Sequence, residues 1–408
     1  MSILRLAWRN VWRNARRTGV TIAATTFALW VMVLYSGLVQ GFLDQMARDV
    51  VDFEVGELQA TAPGFDDDPS LYHLLPDADV TALEAAGYRA SARLVAGALG
   101  ASGEQSSGIV LRGVDPARER AALRIADRMA EGAWLDPADP RGVVIGRRVA
   151  KALGVTVGGE IIALTQGADG SLANELFTVR GVLGSVGDAT DRSAVLVPIA
   201  TLREMLAVPA GAQQIVVRIP TAGGAATTEE LVAREAAVAA LVPDAQVRSW
   251  REILPFVATM LDASAAMIYL VFFLIYVTVG ILVLNAMLMA VFERIREFGV
   301  MKALGTGPWL VFRVILLEAA IQVGLATALA LVLAAPVGVY LVRTGLDLSS
   351  MSSAAVSGVA MPPVWYATFT PQIVATPVIA LLGVVAAAVT WPAVRAARLR
   401  PLDAMRYQ

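Results

Sequence analysis

The sequence predicts a membrane α-helical protein with four transmembrane helices and a large α+β extracytoplasmic domain between helices 1 and 2. The 408-residue chain is 57% hydrophobic and 17% charged, and its mean hydropathy of +0.63 is high for a soluble protein. Four apolar runs are each long enough to cross a bilayer, which takes about 20 residues of helix. The first two runs are separated by 219 residues with ordinary globular patterning, Asp44 to Asp262.

Residues 1–19 are predicted to form a cytoplasmic amphipathic helix on the membrane surface. The segment carries five arginines and no acidic residue. In a helix, the basic residues of this segment lie on a face beside its tryptophans. This arrangement is typical of helices in the lipid headgroup layer, so we expect the lipid bilayer to be a partner. The residues that define this surface helix are Arg5, Trp8, Arg9, Trp12 and Arg13. The alternative is a disordered basic segment.

Residues 20–42 form the first predicted span, an uncharged run of 23 residues. A cleaved signal peptide has an apolar region of about 7–15 residues before a small-residue cleavage site. Because this run is longer, we expect a retained membrane anchor.

Residues 43–252 are predicted to form the extracytoplasmic α+β domain, because short alternating runs are interspersed with amphipathic ones. Gly154 is a C-cap signal, and residues 221–228 are expected to form a loop. The predicted helices cover Ala117–Met129, Val149–Leu153 and Thr227–Leu241. The predicted strands cover Val50–Leu58, Ile109–Val114, Glu160–Thr165, Leu176–Leu183, Ala194–Pro198 and Gln214–Ile219, and Val247–Trp250 leads back to the membrane.

The second span is predicted over residues 253–292, with an outward extension. Thirty positions, Ala263 to Phe292, contain no Asp, Glu, Lys, Arg or His. An apolar stripe before that run predicts a helix that continues unbroken from about Trp250 and projects beyond the bilayer. Pro255 argues against this continuity, because proline inside a helix costs about 3 kcal/mol unless it lies in the first turn.

Residues 293–313 are predicted to form a short charged helix and a loop in the cytoplasm. Charges of both signs suit docking on a protein surface, and the two glycines suit close approach and helix termination. The alternative is an ordinary basic loop that only sets topology. The residues concerned are Glu293, Arg294, Arg296, Glu297, Gly299, Lys302, Leu304 and Gly305.

Residues 314–342 and 371–394 are the third and fourth predicted spans. They are separated by an extracytoplasmic loop, 343–370, and followed by a short basic tail, 395–408. Glu318 lies at the start of the third span. We expect it to pair with another group at the interface, the alternative being a proton relay.

The distribution of charge predicts the orientation. The segments 1–19, 293–313 and 395–408 hold 13 basic residues and three acidic ones, whereas residues 44–262 hold 19 basic and 30 acidic ones. Basic residues favour the cytoplasmic side. We therefore expect a protein of the inner (cytoplasmic) membrane with both termini in the cytoplasm and the large domain outside.

Several kinds of chemistry find no support in the sequence. The chain has no cysteine and one histidine, His73, which excludes thiolate and multi-histidine metal sites. Neither lysine, Lys151 nor Lys302, follows a glycine or precedes Ser or Thr, so there is no phosphate-binding P-loop. We expect no enzymatic activity, no bound cofactor or metal, and no nucleic-acid partner.

Several segments resemble the FtsX-like, or MacB/Lol-type, ABC transporter permeases. They are AWRNVWRNARRT near the N-terminus, VGILVLNAMLMAVFER with ERIREFGVMKALG in the centre, and AARLRPLDAMRY at the end. In the large domain, RGVDP, VVIGRRVAKALGVTVGGEIIAL and FTVRGVLGS with SAVLVPI also resemble this family. The resemblance covers nearly the whole chain.

This resemblance implies a permease that pairs with a second copy or a paralogue and binds two copies of a cytoplasmic ABC ATPase, which uses ATP and Mg²⁺. The helix Glu293 to Leu304 would be the coupling helix seated in that ATPase. MacB carries its ATPase fused at the N-terminus, whereas this chain starts with the surface helix. It therefore resembles the stand-alone permeases of the LolC/LolE kind.

Four functional hypotheses follow. The first is lipoprotein release or trafficking, which would add a lipoprotein carrier as a partner. The second is a MacB-like exporter of peptides or drugs that works with a periplasmic adaptor. The third is a non-transporting transmitter of signals across the membrane, and the fourth is a membrane-anchored scaffold without an ATPase.

Overall fold

The structure is a computed structural model that describes residues 3–65, 69–219, 228–348 and 364–398. The chain divides into two compact units. Among the described residues, the helical unit comprises 3–43, 261–347 and 364–398, and the α/β unit comprises 44–65, 69–219, 228–260 and 348.

The described helices are α1 (Ile3–Arg13), α2 (Ala15–Val50), α3 (Asp77–Ala85), α4 (Pro116–Ala122), α5 (Arg147–Leu153), α6 (Asp188–Ser193), α7 (Ile199–Met205), α8 (Thr228–Leu241), α9 (Trp250–Ile253), α10 (Pro255–Glu293), α11 (Ile295–Ala303), α12 (Pro308–Arg343) and α13 (Pro371–Arg398). A π-helical turn, Val51–Val55, follows α2, and a 3₁₀ turn, Arg124–Arg128, follows α4.

The described strands are β1 (Leu58–Thr61), β2 (Arg89–Ser102), β3 (Gln105–Val114), β4 (Met129–Gly132), β5 (Gly142–Ile145), β6 (Glu160–Gln166), β7 (Leu172–Leu183), β8 (Ala194–Pro198), β9 (Gln214–Arg218), β10 (Gln246–Ser249), β11 (Leu346–Asp347) and β12 (Val364–Trp365).

In the part of the chain that the structure describes, four helices are long and apolar enough to cross a membrane. They are Ala15–Val55, Pro255–Glu293, Pro308–Arg343 and Pro371–Arg398. Each coincides with one of the four predicted spans and is longer than it at one end or both. Their shared core includes large side chains such as Met32 and Phe272 and a series of buried alanines on α12 and α13. Small residues of this kind let neighbouring helices approach closely.

The predicted continuity of the second long helix from Trp250 is wrong. Leu254 leaves the helical conformation, with φ −120° and ψ 64°, and separates the short α9 from α10. The cause is Pro255, which lacks an N–H and disfavours the helical conformation of the preceding residue. As the first residue of α10, Pro255 costs the helix little. The 39 residues of α10 span about 58 Å, well over the roughly 30 Å of a bilayer core.

The α/β unit is built on a mixed sheet of ten strands. Six of them form a closed ring, because β6 pairs with both β2 and β7, and the series β2–β3–β8–β5–β7 completes the circuit. Inward side chains such as Leu111, Ile145 and Phe177 fill the ring, and α5 and α7 add Val149 and Leu202 to the same core.

Three further strands extend from the first half of β2 in the order β9, β1, β10, and the fourth, β4, pairs with β7. The 14-residue β2 therefore belongs to both parts of the sheet. Helix α3 packs on β2 and helix α8 packs on β10.

Two predictions for this unit are wrong. Val50–Leu58 was expected as a strand, but it forms the end of α2, the π turn and only then the start of β1. The alternation of apolar and acidic residues is misleading here, because Asp52 is buried and ion-pairs with Arg218 instead of facing solvent. The helix expected over Ala117–Met129 ends at Ala122, since Leu123 adopts an extended conformation. The remaining predicted helices and strands are present, with small shifts at their ends.

Candidate functional site

The candidate site is the segment between α10 and α12, which the sequence singled out by its mixed charges. Helix α10 ends at Glu293, Arg294 leaves the helical conformation, and α11 continues to Ala303. Gly305 has φ +92°, which side-chain-bearing residues rarely adopt, so it ends the helix as predicted. Gly307 and Pro308 then start α12.

One face of α11 is buried in the helical unit. Ile295, Phe298 and Gly299 are buried, and Phe298 belongs to the same apolar core as the long helices. Gly299 is buried, and the close approach that the sequence suggested for it stays a prediction. Because Phe298 is 1% exposed, α11 cannot move without displacing the side chains of the neighbouring helices.

A polar network fixes α11 to the N-terminal helices and to α12. Arg294 lies at its centre: its Nη1 is 2.8 Å from Glu318 Oε1, and its Nε is 3.1 Å from Glu297 Oε2. Arg13 pairs with Glu297, and the Arg17 Nη1 is 2.8 Å from the Glu293 Oε2. We call these residues, together with Asn10, the α1–α11 network. The Asn10 Nδ2 donates to the Glu318 Oε1 over 2.6 Å.

The members of the network differ in exposure. The side chains of Arg294 and Glu318 are 12% and 7% exposed, whereas those of Arg13 and Glu297 are 58% and 40% exposed. A buried pair is sensitive to the loss of one partner, but an exposed pair contributes little. The Arg294–Glu318 pair is therefore the structurally critical element. It also bears out the expectation that Glu318 pairs with another group.

The carboxylate of Glu297 is held in its charged form. Burial alone would raise its pKa, but hydrogen bonds from Arg13 and Arg294 outweigh burial and hold the pKa of Glu297 below its ordinary value. A depressed pKa stabilises the fold above the ordinary value of about 4.3 and loses that contribution as the pH falls through the depressed value. Glu297 is accordingly charged at neutral pH.

The network changes the expected role of several predicted docking residues. The sequence suggested that Glu293, Arg294 and Glu297 contact another protein, but all three carboxylate and guanidinium groups pair within the chain. The Lys302 Nζ donates to the Ala397 carbonyl oxygen over 2.6 Å, which ties the end of α11 to α13. Sequence reasoning missed this because the partners lie far apart in the chain.

An exposed face of α11 remains on the opposite side of the helix. It consists of Arg296, Val300, Ala303 and Leu304, and we call it the exposed α11 face. Leu304 is 82% exposed and Val300 is 47% exposed. Arg296 has no ion-pair partner in the part of the chain that the structure describes. This face combines one cation with apolar surface, a composition enriched in protein interfaces.

The N-terminal helix α1 lies beside this site. Its predicted surface residues Arg5, Trp8, Arg9, Trp12 and Arg13 are all exposed, and its buried residues Ala7 and Val11 lie on the opposite side. The helix packs on α12. The ring centroids of Trp8 and Trp12 are 5.9 Å apart in an edge-on arrangement. The helix itself is confirmed, and its position in the headgroup layer stays a prediction.

A charge swap separates pairing within the chain from docking by Glu297. Glu297→Arg places a third guanidinium against Arg13 and Arg294. We therefore expect insertion into the membrane to be unchanged, but the rate of ATP hydrolysis measured with a co-expressed cytoplasmic ATPase to fall. The double variant Arg13→Glu/Glu297→Arg restores opposite charges at this position, and we expect it to recover most of that activity. Activity that stays low in the double variant would instead mean that Glu297 contacts a partner directly.

Comparisons with known proteins cover both parts of the chain. The profile of the MacB-like periplasmic core domain matches residues 18–235, and that of the FtsX-like permease C-terminal region matches residues 269–401. The lipoprotein-releasing system transmembrane protein LolC of Neisseria meningitidis serogroup B is 22% identical over 327 residues, which is 76% of each chain.

Solved structures of extracytoplasmic domains also match. The periplasmic region of MacB from Actinobacillus actinomycetemcomitans is 15% identical, covers 52% of this chain and 98% of that one, and gives a TM-score of 0.38. The extracellular domain of the noncanonic ABC-type transporter YknZ from Gram-positive bacteria is 17% identical, covers 47% and 99% of the two chains, and gives a TM-score of 0.35.

Proposed function

The chain belongs to the MacB-like periplasmic core domain family and is an FtsX/MacB/Lol-type ABC transporter permease, and we propose that it passes the ATP-driven motion of a separate cytoplasmic ATPase to its α/β unit. The observation that carries this proposal is the construction of α11. One face is fixed in the helical unit by Phe298 and the α1–α11 network, and the opposite face is open.

The exposed α11 face is the proposed binding site for the ATPase. Leu304 and Val300 offer apolar surface that no other described part of the chain covers, and Arg296 offers a charge. The paired residues Glu293, Arg294 and Glu297 support this face from behind. In this proposal their role is to hold α11 rigidly rather than to touch the ATPase.

Motion of α11 is transmitted through the long helices. The hydrogen bonds of a helix backbone lie within the segment, so α2 and α10 move as rods even in lipid. Both helices have residues in each of the two units. In the proposed mechanism, closure of the ATPase displaces α11, the Arg294–Glu318 pair moves α12 with it, and α10 conveys the displacement to the α/β unit.

The proposed orientation places both termini and α11 in the cytoplasm and the α/β unit outside. Single cysteines are diagnostic in this cysteine-free chain. We expect an impermeant thiol reagent to label Ser106→Cys but not Thr306→Cys in intact cells, and to label both after lysis. Labelling of Thr306→Cys alone in intact cells would reverse the topology.

We propose lipoprotein release or trafficking as the transport activity, supported by the similarity to LolC over 76% of the chain. Purification of the chain from its native membrane, followed by mass spectrometry of co-purifying molecules, tests the proposal. An ABC ATPase together with lipoproteins is the expected result. A periplasmic adaptor with peptides would support export instead, and an ATPase with an outer-surface enzyme would support signal transmission.

A further inference from the structure

The helical unit contains an apolar cavity that the proposed coupling does not use. The cavity lies between α2, α12 and α13, has a volume of about 440 Å³, and includes Val33, Ala334, Val339 and Val374 in its wall. Among the described residues, the one charged residue that lines it is Arg343, in the last turn of α12.

The ring of Phe369 shapes this cavity. A Cβ atom on Gly37 would lie 2.2 Å from the Phe369 Cε1, and one on Gly338 would lie 3.2 Å from the Phe369 Cε2. Glycines on both α2 and α12 therefore make room for the ring, which forms part of the cavity wall.

An apolar cavity of this size favours an apolar occupant. Voids forfeit dispersion contacts with their lining, and water does not occupy cavities that lack polar partners. At the depth of a membrane span the abundant apolar molecules are lipid acyl chains. The cavity volume is also within the usual range for ligand sites.

The length of the cavity along α12 matches the hydrocarbon thickness of one leaflet. The α12 residues that line the cavity run from Leu331 to Arg343, about 18 Å along the helix. One leaflet contributes about half of the roughly 30 Å hydrocarbon core. A chain lying in the cavity would therefore reach Arg343 where the hydrocarbon ends and the headgroups begin.

Arg343 gives the site its polar end. Its side chain is exposed, and in the part of the chain that the structure describes it has no hydrogen-bond or ion-pair partner. Guanidinium groups bind phosphate through paired, charge-assisted hydrogen bonds. We propose that this cavity binds a phospholipid, with one acyl chain between α2, α12 and α13 and the phosphate on Arg343.

The test uses the full chain in phosphatidylcholine vesicles with two photoactivatable probes. One is phosphatidylglycerol with a diazirine in its acyl chain, and the other is diacylglycerol with the same chains but no phosphate. We expect the first probe to label peptides that contain Val339 and Val374 about tenfold more than the second. Arg343→Gln is expected to abolish that difference.

A matched pair of variants tests whether the chain enters the cavity. Ala335 lines the cavity, and Ala335→Phe is expected to reduce the labelling about tenfold by filling the space. Ala328→Phe, on the same helix but outside the cavity, is expected to leave labelling unchanged. The proposal would be overturned if the two variants were labelled equally, or if the two probes labelled the wild type equally. It would also be overturned if the cavity stayed unlabelled because a second copy of the chain occupies it.

Discussion

Leu304→Asp is expected to weaken binding of the cytoplasmic ATPase at least about 30-fold, which corresponds to the roughly 2 kcal/mol lost at an interface hot spot. Leu304 is 82% exposed, so the substitution buries no charge within the chain and should leave the fold intact. In the complex, however, the new carboxylate would lose its water in an apolar contact. The measurement is capture of the ATPase by the affinity-tagged, detergent-solubilised chain.

Leu172→Asp is the matched control for this variant. Leu172 begins β7 in the α/β unit and is 77% exposed, so the same substitution is made at a similarly open position. We expect this control to capture as much ATPase as the wild type. If Leu304→Asp captured as much ATPase as the wild type, the ATPase would bind elsewhere, and the exposed α11 face would not be its binding site.

Arg294→Met is expected to cause the largest loss of stability in the helical unit. The Arg294 side chain is 12% exposed and its partner Glu318 is 7% exposed. Removal of one partner leaves a buried charge, at a cost of about 3–5 kcal/mol. We therefore expect a markedly lower midpoint of thermal unfolding in detergent, together with loss of ATP-driven activity.

The double variant Arg294→Met/Glu318→Met separates stability from coupling. Replacement of a buried ion pair by apolar side chains is often nearly neutral, so the unfolding midpoint should return towards that of the wild type. ATP-driven activity should stay low, because the link between α11 and α12 is missing. A single variant as stable as the wild type would show that the pair is not critical, and a fully active double variant would show that it does not transmit motion.

The apolar spans could be predicted from the sequence because their physical cause is local. A helix in lipid must be long and uncharged, so the four runs were visible without any knowledge of tertiary contacts. The end of α11 at Gly305 was visible for a similar reason, since only glycine readily takes the required conformation. Pro255 carried enough information to place the start of α10, but the apolar stripe before it argued for a longer helix.

The partners of the charged residues could not be predicted in this way. Arg17 and Glu293 are 276 positions apart, and Asn10 and Glu318 are 308 apart. No local pattern brings such residues together. Mixed charge on a short helix suggested docking on another protein, whereas the structure shows most of those charges paired within the chain. The exposed face became apparent only after these pairs had been assigned.

Strand β2 was missed for a different reason. It is rich in alanine, glycine and serine, which have low strand propensity, so its sequence lacks the signal of a strand. Its conformation is fixed by pairing with β3, β6 and β9. Tertiary context therefore outweighs propensity in the element that joins the two parts of the sheet.

The rate of ATP hydrolysis, measured for the purified chain alone and for the chain with its co-expressed cytoplasmic ATPase, tests the central claim most directly. We expect no hydrolysis by the chain alone, because it lacks the Gly-Lys-Ser/Thr sequence that binds phosphate. With the ATPase present we expect hydrolysis that depends on an intact Leu304. Hydrolysis by a preparation shown to contain no second protein would contradict the account.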